Sequence, residues 1–345
     1  MKYPPLPAQQ VIDVIDGKQA ASRMPIFIHM WVHPDTFGDR EQAVIEMLKR
    51  YPSDVNESYI RLPYNYDAPE DDPSYRWVNY GKPEGSQVTG LDEDIVIPDW
   101  SLLDGILADW PDPNYPRMFA WANPADDRYR LGQFWFCFFE RHWMLRGMTN
   151  ALMDYYTDPK SVHRLFGALT DFYLVVIERA ARELGANGVM TSDDIGTQTA
   201  PFFSVDIFRE FFKPYYKKLI DKAHSLGMHF WLHACGNIEH FLPDFVEMGL
   251  DVIHPIQKHT MDEKKIAATY GKDICIWAGF DVQQVIPWGT PDEVRAEVRY
   301  MMDTYQHPEG KLIFTAGNGI NGDCALESLE ALFEEALEYG SKVGK

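Results

Sequence analysis

The stretch Met228-His229-Phe230-Trp231-Leu232-His233-Ala234-Cys235-Gly236-Asn237 carries the residue types in this chain best suited to chemistry. An apolar run of strand length ends in an imidazole and a thiol two positions apart, and a glycine follows. Side chains along a strand alternate between faces, so His233 and Cys235 point the same way and can share one zinc ion. The same pattern also fits a hydrogen-bonded core histidine followed by a buried, inert cysteine. What else the fold brings to that end of the strand decides between the two.

The elements that must position such a pair form a regular series. Strand patterns fall at Gly188 to Asp194, Met228 to Cys235, Asp251 to Ile256, Asp273 to Phe280 and Lys311 to Gly317. Helical patterns at Val205 to Ser225, Ile238 to Met248, Met261 to Tyr270, Pro291 to Gln306 and Ala325 to Tyr339 separate or follow them. This alternation predicts a parallel sheet, and without a GxGxxG after an early strand a dinucleotide fold is disfavoured. The expected architecture is α/β, a single (β/α)8 TIM barrel over residues 1–345 with an N-terminal extension and long loops over the carboxyl-terminal mouth.

Upstream, the patterns predict a helix over residues 8–16, a strand from Pro25 to Trp31, a helix from Asp39 to Tyr51 and a strand from Ser58 to Leu62. Residues 63–93, rich in Pro, Tyr, Asp and Gly, read as a long excursion with a small hairpin that can fold over the mouth. A helix from Asp99 to Trp110 is stopped by the proline-rich run through Pro116. An apolar strand from Arg130 to Phe139 then leads into a helix through about Tyr155, and residues 160–184 form a long helix.

Charge narrows the partners. With 32 basic against 52 acidic residues the formal charge is -20, which disfavours nucleic acid or an anionic membrane and favours a small molecule or a basic protein surface. No apolar run approaches the roughly 18 residues of a membrane span, and the N-terminus lacks a signal-peptide apolar region, so a cytoplasmic protein is expected. Cys137, Cys235, Cys275 and Cys324 are too few for a disulfide framework and read as reduced thiols. Most of the abundant Trp, Tyr and Phe is expected in the core, with part of it lining a pocket for a flat ligand.

In a closed barrel, polar residues at the carboxyl ends of the strands converge although they are far apart in sequence. Here they are His29, Glu140, Asp193 with Asp194, His233 with Cys235, His254 with Gln257, Asp281, and Asn318 with Cys324 shortly beyond. Each has a structural reading beside a functional one: His29 as a core histidine, Glu140 as a helix-start carboxylate favoured by the dipole. Their recurrence at one end of nearly every strand argues for a site.

Several of these stretches together resemble the uroporphyrinogen decarboxylase superfamily. They are Asp193-Asp194-Ile195-Gly196-Thr197-Gln198, Ser204-x-x-x-Phe208-Arg209-x-Phe211-x-x-Pro214, His233-x-Cys235-Gly236-Asn237, Gly289-Thr290-Pro291-x-Glu293-Val294 and Leu326-Glu327-Ser328. The resemblance spans residues 160 to 340 well and the first half loosely. Its H-x-C pair is similar to the corrinoid-dependent methyltransferase branch, TIM barrels that use zinc to move methyl groups to or from a cobalamin-carrying protein. The run from Phe139 to Met148 is similar to members near the methyl ether demethylating enzymes. Two departures stand out. Where the decarboxylases carry an N-terminal Arg-rich motif, this chain has Phe27-Ile28-His29-Met30-Trp31-Val32-His33, which argues against porphyrinogen decarboxylation. Where coenzyme M methyltransferases of the superfamily place a third cysteine ligand, this chain has Asn318.

The resemblance implies zinc on His233 and Cys235, with Cys324 folding back from the loop before the last helix as third ligand. Cys275 is its rival, but by strand rise it lies about 13 Å below the mouth. Asp193, Asp194 and Glu140 are implied to be catalytic: to complete the zinc shell, bind substrate hydroxyls or manage a proton. His29, Trp31, Gln198, His254 and Asn318 are implied to bind substrate. An aromatic methyl ether could stack on Trp31, Tyr64 or Trp143. Cobalamin would arrive on a separate corrinoid protein, since no D-x-H-x-x-G motif occurs here, and a homodimer is a further expected partner. Two other readings of the same barrel stay open: a metal-free decarboxylase or lyase with Asp193 or Asp194 as the acid, and a non-catalytic binding barrel, which Asn318 at the expected ligand position favours.

Overall fold

Strands buried on both faces read as nearly continuous apolar runs, because helices cover the outside of a parallel sheet while side chains fill its inside. The computed structural model, which describes residues 3–18, 21–79, 90–92, 95–119, 126–308 and 310–343, follows that rule. Among the described residues, seven parallel strands pair in chain order: β1 (Val55–Tyr59), β2 (Tyr129–Phe134), β3 (Gly188–Ser192), β4 (His229–His233), β5 (Val252–His254), β6 (Cys275–Phe280) and β7 (Leu312–Ala316). Every residue of β3, β6 and β7 is buried. Helices such as Pro159–Arg179, Lys213–Ser225, Pro291–Tyr305 and Leu326–Val343 pack outside. The Gly-Thr-Pro-x-Glu stretch starts one of them, with Thr290 and Glu293 forming a capping box around Pro291 in the first turn.

The strand expected from Pro25 to Trp31 is much shorter. Phe27 donates its amide to the Phe314 carbonyl at 2.9 Å, Phe314 donates back to Pro25 at 2.9 Å, and Asp54 donates to Ile26 at 3.1 Å. Residues 25–27 thus fill the gap between β7 and the start of β1 and close the ring. At His29 the chain leaves the sheet in a 3-10 turn, His29–Trp31. The closure is pinned by Asp54, a fully buried carboxylate. It accepts from Leu6 N at 2.7 Å, Ile26 N at 2.8 Å and both terminal nitrogens of Arg23 at 2.7 Å. A bidentate guanidinium and two amides satisfy the carboxylate almost completely, as its burial requires.

Aromatic rings fill the lumen below the mouth. Phe27 stacks on Trp277 at 5.1 Å, Trp231 meets Trp277 edge-on at 5.2 Å, and the Trp231 indole donates to the Tyr129 hydroxyl at 3.1 Å. Much of the aromatic content is therefore core. The second strand lies at residues 55–59 rather than 58–62, and the helix expected through Tyr155 breaks at Gly147, φ 78°, into Phe139–Arg146 and Met148–Thr157. Of the excursion over residues 63–93, positions 80–89 and 93–94 lie outside the described residues; its described beginning pairs Tyr64 with Arg76 in parallel, not as a hairpin. No described helix is long and apolar enough to cross a membrane.

Two outcomes follow from these buried carboxyls. Asp54→Asn strips the charge from the closure and leaves Arg23 buried without its counter-ion, so urea unfolding should show a loss of about 3–5 kcal/mol. A midpoint equal to that of the parent would contradict the role given to Asp54. Glu57 on β1 accepts from Gln133 at 3.3 Å, and burial pushes its carboxyl up to about 7. Unfolded chain ionises near the ordinary value and folded chain only near neutrality, so stability should fall as pH rises from about 4.5 to about 7, by roughly 2 kcal/mol. Glu57→Gln should flatten that stretch of the curve, measured as Tm against pH; a parallel curve in the variant rules this source out.

Candidate metal centre

At the carboxyl end of β4 the strand alternation does what the spacing predicts. His233 Nε2 lies 3.3 Å from Cys235 Sγ, and Asp194, just beyond β3, brings its Oδ1 to 3.5 Å from the same nitrogen. One ligand atom from each of the three residues lies within 4.8 Å of the others. The Cys235 amide donates to Asp194 Oδ1 at 2.7 Å, which ties the two strand ends together. Close backbone contact makes this possible. Gly236, φ 88°, lies so near Gly196 that a Cβ on it would come within 2.2 Å of the Gly196 carbonyl, and a Cβ on Gly196 would meet the Asn237 amide at 2.7 Å. Only glycine at both positions lets the loops after β3 and β4 press together.

The orientation of His233 is set from behind. Its Nδ1 lies 2.7 Å from Nδ1 of His254, and His254 Nε2 lies 2.9 Å from the Ala316 carbonyl on β7. A carbonyl can only accept, so the His254 proton belongs on Nε2. Burial holds both imidazoles below their ordinary range, His254 far below, so each is neutral. His254 Nδ1 is then an acceptor, His233 Nδ1 a donor, and the bare lone pair of His233 Nε2 faces the Cys235 sulfur and Asp194. Trp31 stacks on His254 at 4.7 Å and lies 5.2 Å from the His233 ring, and Trp135 meets His233 edge-on at 5.7 Å. These rings fix the pair and keep water from it.

An imidazole lone pair, a sulfur and a carboxylate are a donor set that suits zinc, and three protein ligands leave a fourth position free. The protonation pattern agrees. Burial and the neighbouring Asp194 charge push the Cys235 thiol up, and burial with Asp194 and Asp193 pushes the Glu140 carboxyl well up. Acidic groups that repel one another's charge in this way are relieved by a cation. Asp194 and Cys235 line an open cavity of about 480 Å³ over the ends of β3 to β7, together with Gln198, Gln257, Asp281 and Asn318.

The other expected residues divide. Asn318 reaches the centre: its Nδ2 lies 3.5 Å from the Cys235 sulfur. Gln198 is exposed on the cavity rim. Glu140 is buried behind Asp194, bonded to Ser192 Oγ at 2.5 Å. Asp193 is a correction: it is fully buried, and it accepts from the amides of Phe138, Phe139 and Glu140 at 3.0, 3.0 and 2.8 Å and from the Tyr216 hydroxyl. It anchors the helix Phe139–Arg146 to the end of β3 and does not line the cavity. His254 and Trp31 are buried beneath the ligands rather than facing the cavity. His29 turns outward, 3.3 Å from the Leu48 carbonyl and edge-on to Phe333 at 5.2 Å, because the chain has already left the sheet. Cys324 is not in the ligand group: its thiol donates to the Ala325 carbonyl at 3.2 Å, in a loop that Arg40 holds through the Cys324 carbonyl at 2.9 Å. Asp194 stands in the place expected for it. Cys275 opens β6 at the far end of the lumen, as its depth predicts.

Two residues take roles that the sequence did not assign. Gln257 accepts from the Gly236 amide at 2.6 Å and so fixes the turn after Cys235. Arg141 is buried and makes no ion pair among the described residues, with its guanidinium over the rings of Trp77 and Phe136. Phe136 itself sits at φ 68°, a conformation that costs a non-glycine residue about 1–2 kcal/mol.

Comparison with known proteins bears on this geometry. The family described as Uroporphyrinogen decarboxylase (URO-D) matches residues 142–339. The chain is similar to the methylated-thiol--coenzyme M methyltransferase of Methanosarcina mazei, 26% identical over 194 residues, 56% of this chain and 49% of that protein. It is also similar to the methylcobamide:CoM methyltransferase MtbA of the same organism, 26% identical over 175 residues, 50% of this chain and 49% of that protein. The chain thus spans about half the length of the curated relatives it matches. A solved methyltransferase from Methanosarcina mazei shares the fold over 95% of this chain and 97% of its own, with a TM-score of 0.59 and 16% identity.

The imidazole relay carries its own test. His254→Phe removes the acceptor that keeps the His233 proton on Nδ1, and zinc affinity should fall about 10- to 100-fold, read by competition with a chromophoric chelator. Affinity equal to the parent's would mean that His233 Nε2 is not the donor atom.

Proposed function

The chain belongs to the uroporphyrinogen decarboxylase family, and from that premise we propose that it is a zinc-dependent methyltransferase acting between a small methylated substrate and a corrinoid protein. The observation that carries the reading is the convergence of Asp194, His233 and Cys235 at the open mouth of the barrel. The methyltransferases among its relatives support the reaction class. The Arg-rich stretch expected of a porphyrinogen decarboxylase is absent from residues 27–33.

Zinc at this centre would be held by His233, Cys235 and Asp194, and when bound it supplies a Lewis acid that polarises an ether oxygen or favours a deprotonated thiol. The protein's own groups do the rest. His254 and the Ala316 carbonyl keep the His233 proton on the far nitrogen. Asn318 directs an amide N–H at the Cys235 sulfur, which stabilises negative charge there. Glu140, whose carboxyl is pushed well up by burial and by Asp194 and accepts from the Ser192 hydroxyl, is the group beside Asp194 placed to give up a proton when a substrate oxygen gains charge. The exposed cavity over β3 to β7 leaves room for a corrinoid to approach from a second protein. The substrate we favour is an aromatic methyl ether, because exposed Tyr59 and Tyr64 and half-buried Trp135 stand at the same mouth.

Incubating zinc-loaded protein with methoxylated aromatics and cob(I)alamin should yield methylcobalamin, followed by its absorbance. Cys235→Ala and Asp194→Asn should each lower zinc well below one equivalent and slow transfer at least 100-fold. Transfer at the parent rate by metal-free protein would overturn the zinc dependence, and protein that neither binds zinc nor transfers methyl would favour the metal-free decarboxylase or lyase reading of the barrel.

A further inference from the structure

A second cavity opens at the mouth over the ends of β1 and β2. It has a volume of about 210 Å³ and is lined by Tyr59, Tyr64, Tyr66, Trp135, Phe136 and Met144, with Arg141 in its wall. Arg141 is 3% exposed, and its Nε has no hydrogen-bond partner. A guanidinium cannot shed its charge, and a buried one is ordinarily paired with an acid. Here the buried Glu140 carboxyl next to it feels its charge but makes no ion pair with it, and the centroids of Trp77 and Phe136 lie 5.1 and 5.5 Å from its central carbon. The Tyr173 phenol, its own proton committed to the Phe136 and Cys137 carbonyls at 3.2 and 3.0 Å, shares a hydrogen bond with the Arg141 side chain and partners it without neutralising its charge. Asp67, the acidic residue on the cavity rim, is exposed and makes no ion pair with Arg141 among the described residues. In a chain of formal charge -20, a buried cation left for an aromatic slot is a feature that a ligand would complete.

The slot is built rather than incidental. Phe136 holds a left-handed backbone, φ 68°, between the Ser192 hydroxyl, which accepts from its amide at 3.0 Å, and the Tyr173 hydroxyl, which donates to its carbonyl at 3.2 Å. Strain held by such a surround is found where a site needs it. The helix that carries Arg141 is the one Asp193 clamps by its first amides, so the strand end that presents Asp194 also sets Arg141. Trp135 is a shared wall, lining this cavity while its ring lies 5.7 Å from that of His233.

We propose that this cavity is an anion subsite, in which Arg141 receives the carboxylate of an aromatic substrate whose ring lies among Tyr59, Tyr64, Trp135 and Phe136. The inference rests on the methyltransferase reading for the role of the ligand, and it narrows that reading from aromatic methyl ethers to methoxylated aryl carboxylates. Planar bidentate pairing with guanidinium and stacking on the tyrosines favour such a molecule over a compact aliphatic anion.

Calorimetric titration of zinc-loaded protein with 4-methoxybenzoate, methoxybenzene and 2-methoxyethanesulfonate tests it without a corrinoid. The parent should bind 4-methoxybenzoate at least tenfold more tightly than either other compound. Arg141→Gln should reduce the preference over methoxybenzene to less than threefold with zinc content unchanged, and Arg141→Lys should retain part of it. Equal binding of the acid and the neutral ether by the parent overturns the anion subsite, as does an undiminished preference in Arg141→Gln. Tighter binding of the sulfonate overturns the aromatic carboxylate. Should the variants fail to fold, by circular dichroism, the parent's preference alone decides. Methyl transfer from methoxybenzene with no preference for the acid sinks this proposal and spares the methyltransferase reading; a preference for the acid with no methyl transfer does the reverse.

Discussion

Crowding of electron-rich groups in a partly dry mouth is the constraint on which the rest of the structure depends. An imidazole lone pair, a sulfur and a carboxylate oxygen within 4.8 Å of one another are costly to assemble in the absence of a cation, because burial and mutual repulsion both oppose charge. The local effect is visible in the thiol and carboxyl protons that Cys235 and Glu140 retain. A frame has to hold the cluster in place, and several otherwise unrelated features serve that end. The paired glycines at positions 196 and 236 let two loops touch, and the Asp193 clamp ties the strand end carrying Asp194 to the next helix.

The frame reaches back to the closure of the ring. β7 is held on its outer edge by residues 25–27, through Phe314 and through Thr315 Oγ1, which donates to the Phe27 carbonyl at 2.6 Å. At the end of the same strand the Ala316 carbonyl sets the His254 tautomer, and through it the atom that His233 offers. Asp54, which fastens the closing segment, therefore supports the geometry of the centre from far below it. The aromatic core between them, Phe27 on Trp277 and Trp31 on His254, gives the relay rigid neighbours. Pre-organisation of this kind is what keeps a ligand lone pair aimed before any ion arrives.

Much of this was legible in the sequence, for identifiable reasons. Alternation along a strand is strict, so His-x-Cys at the end of β4 had to present both groups to one side. Strand and helix periods gave the parallel sheet, although β5 is three residues long and the first strand shrank to a bridge. Adjacent acids were harder: Asp193 and Asp194 differ by one position and therefore by face, and where a strand ends decides which of them points inward. Cys324 was unreadable because a loop thiol has no period, and Arg40, far away in sequence, fixes it. The strand pattern places His254 at the rim, whereas its pairing opposite His233 on the neighbouring strand sets it behind that imidazole. Arg141 left no signal, since an arginine inside an aromatic run looks the same whether it reaches solvent or a cavity.

X-ray absorption at the zinc edge of metal-loaded protein addresses the central claim most directly. The account predicts a four-coordinate shell with a single sulfur at about 2.3 Å and nitrogen or oxygen donors at about 2.0–2.2 Å. A shell of light atoms alone, or one with two sulfurs, would contradict the assignment of Asp194, His233 and Cys235 as the ligand set.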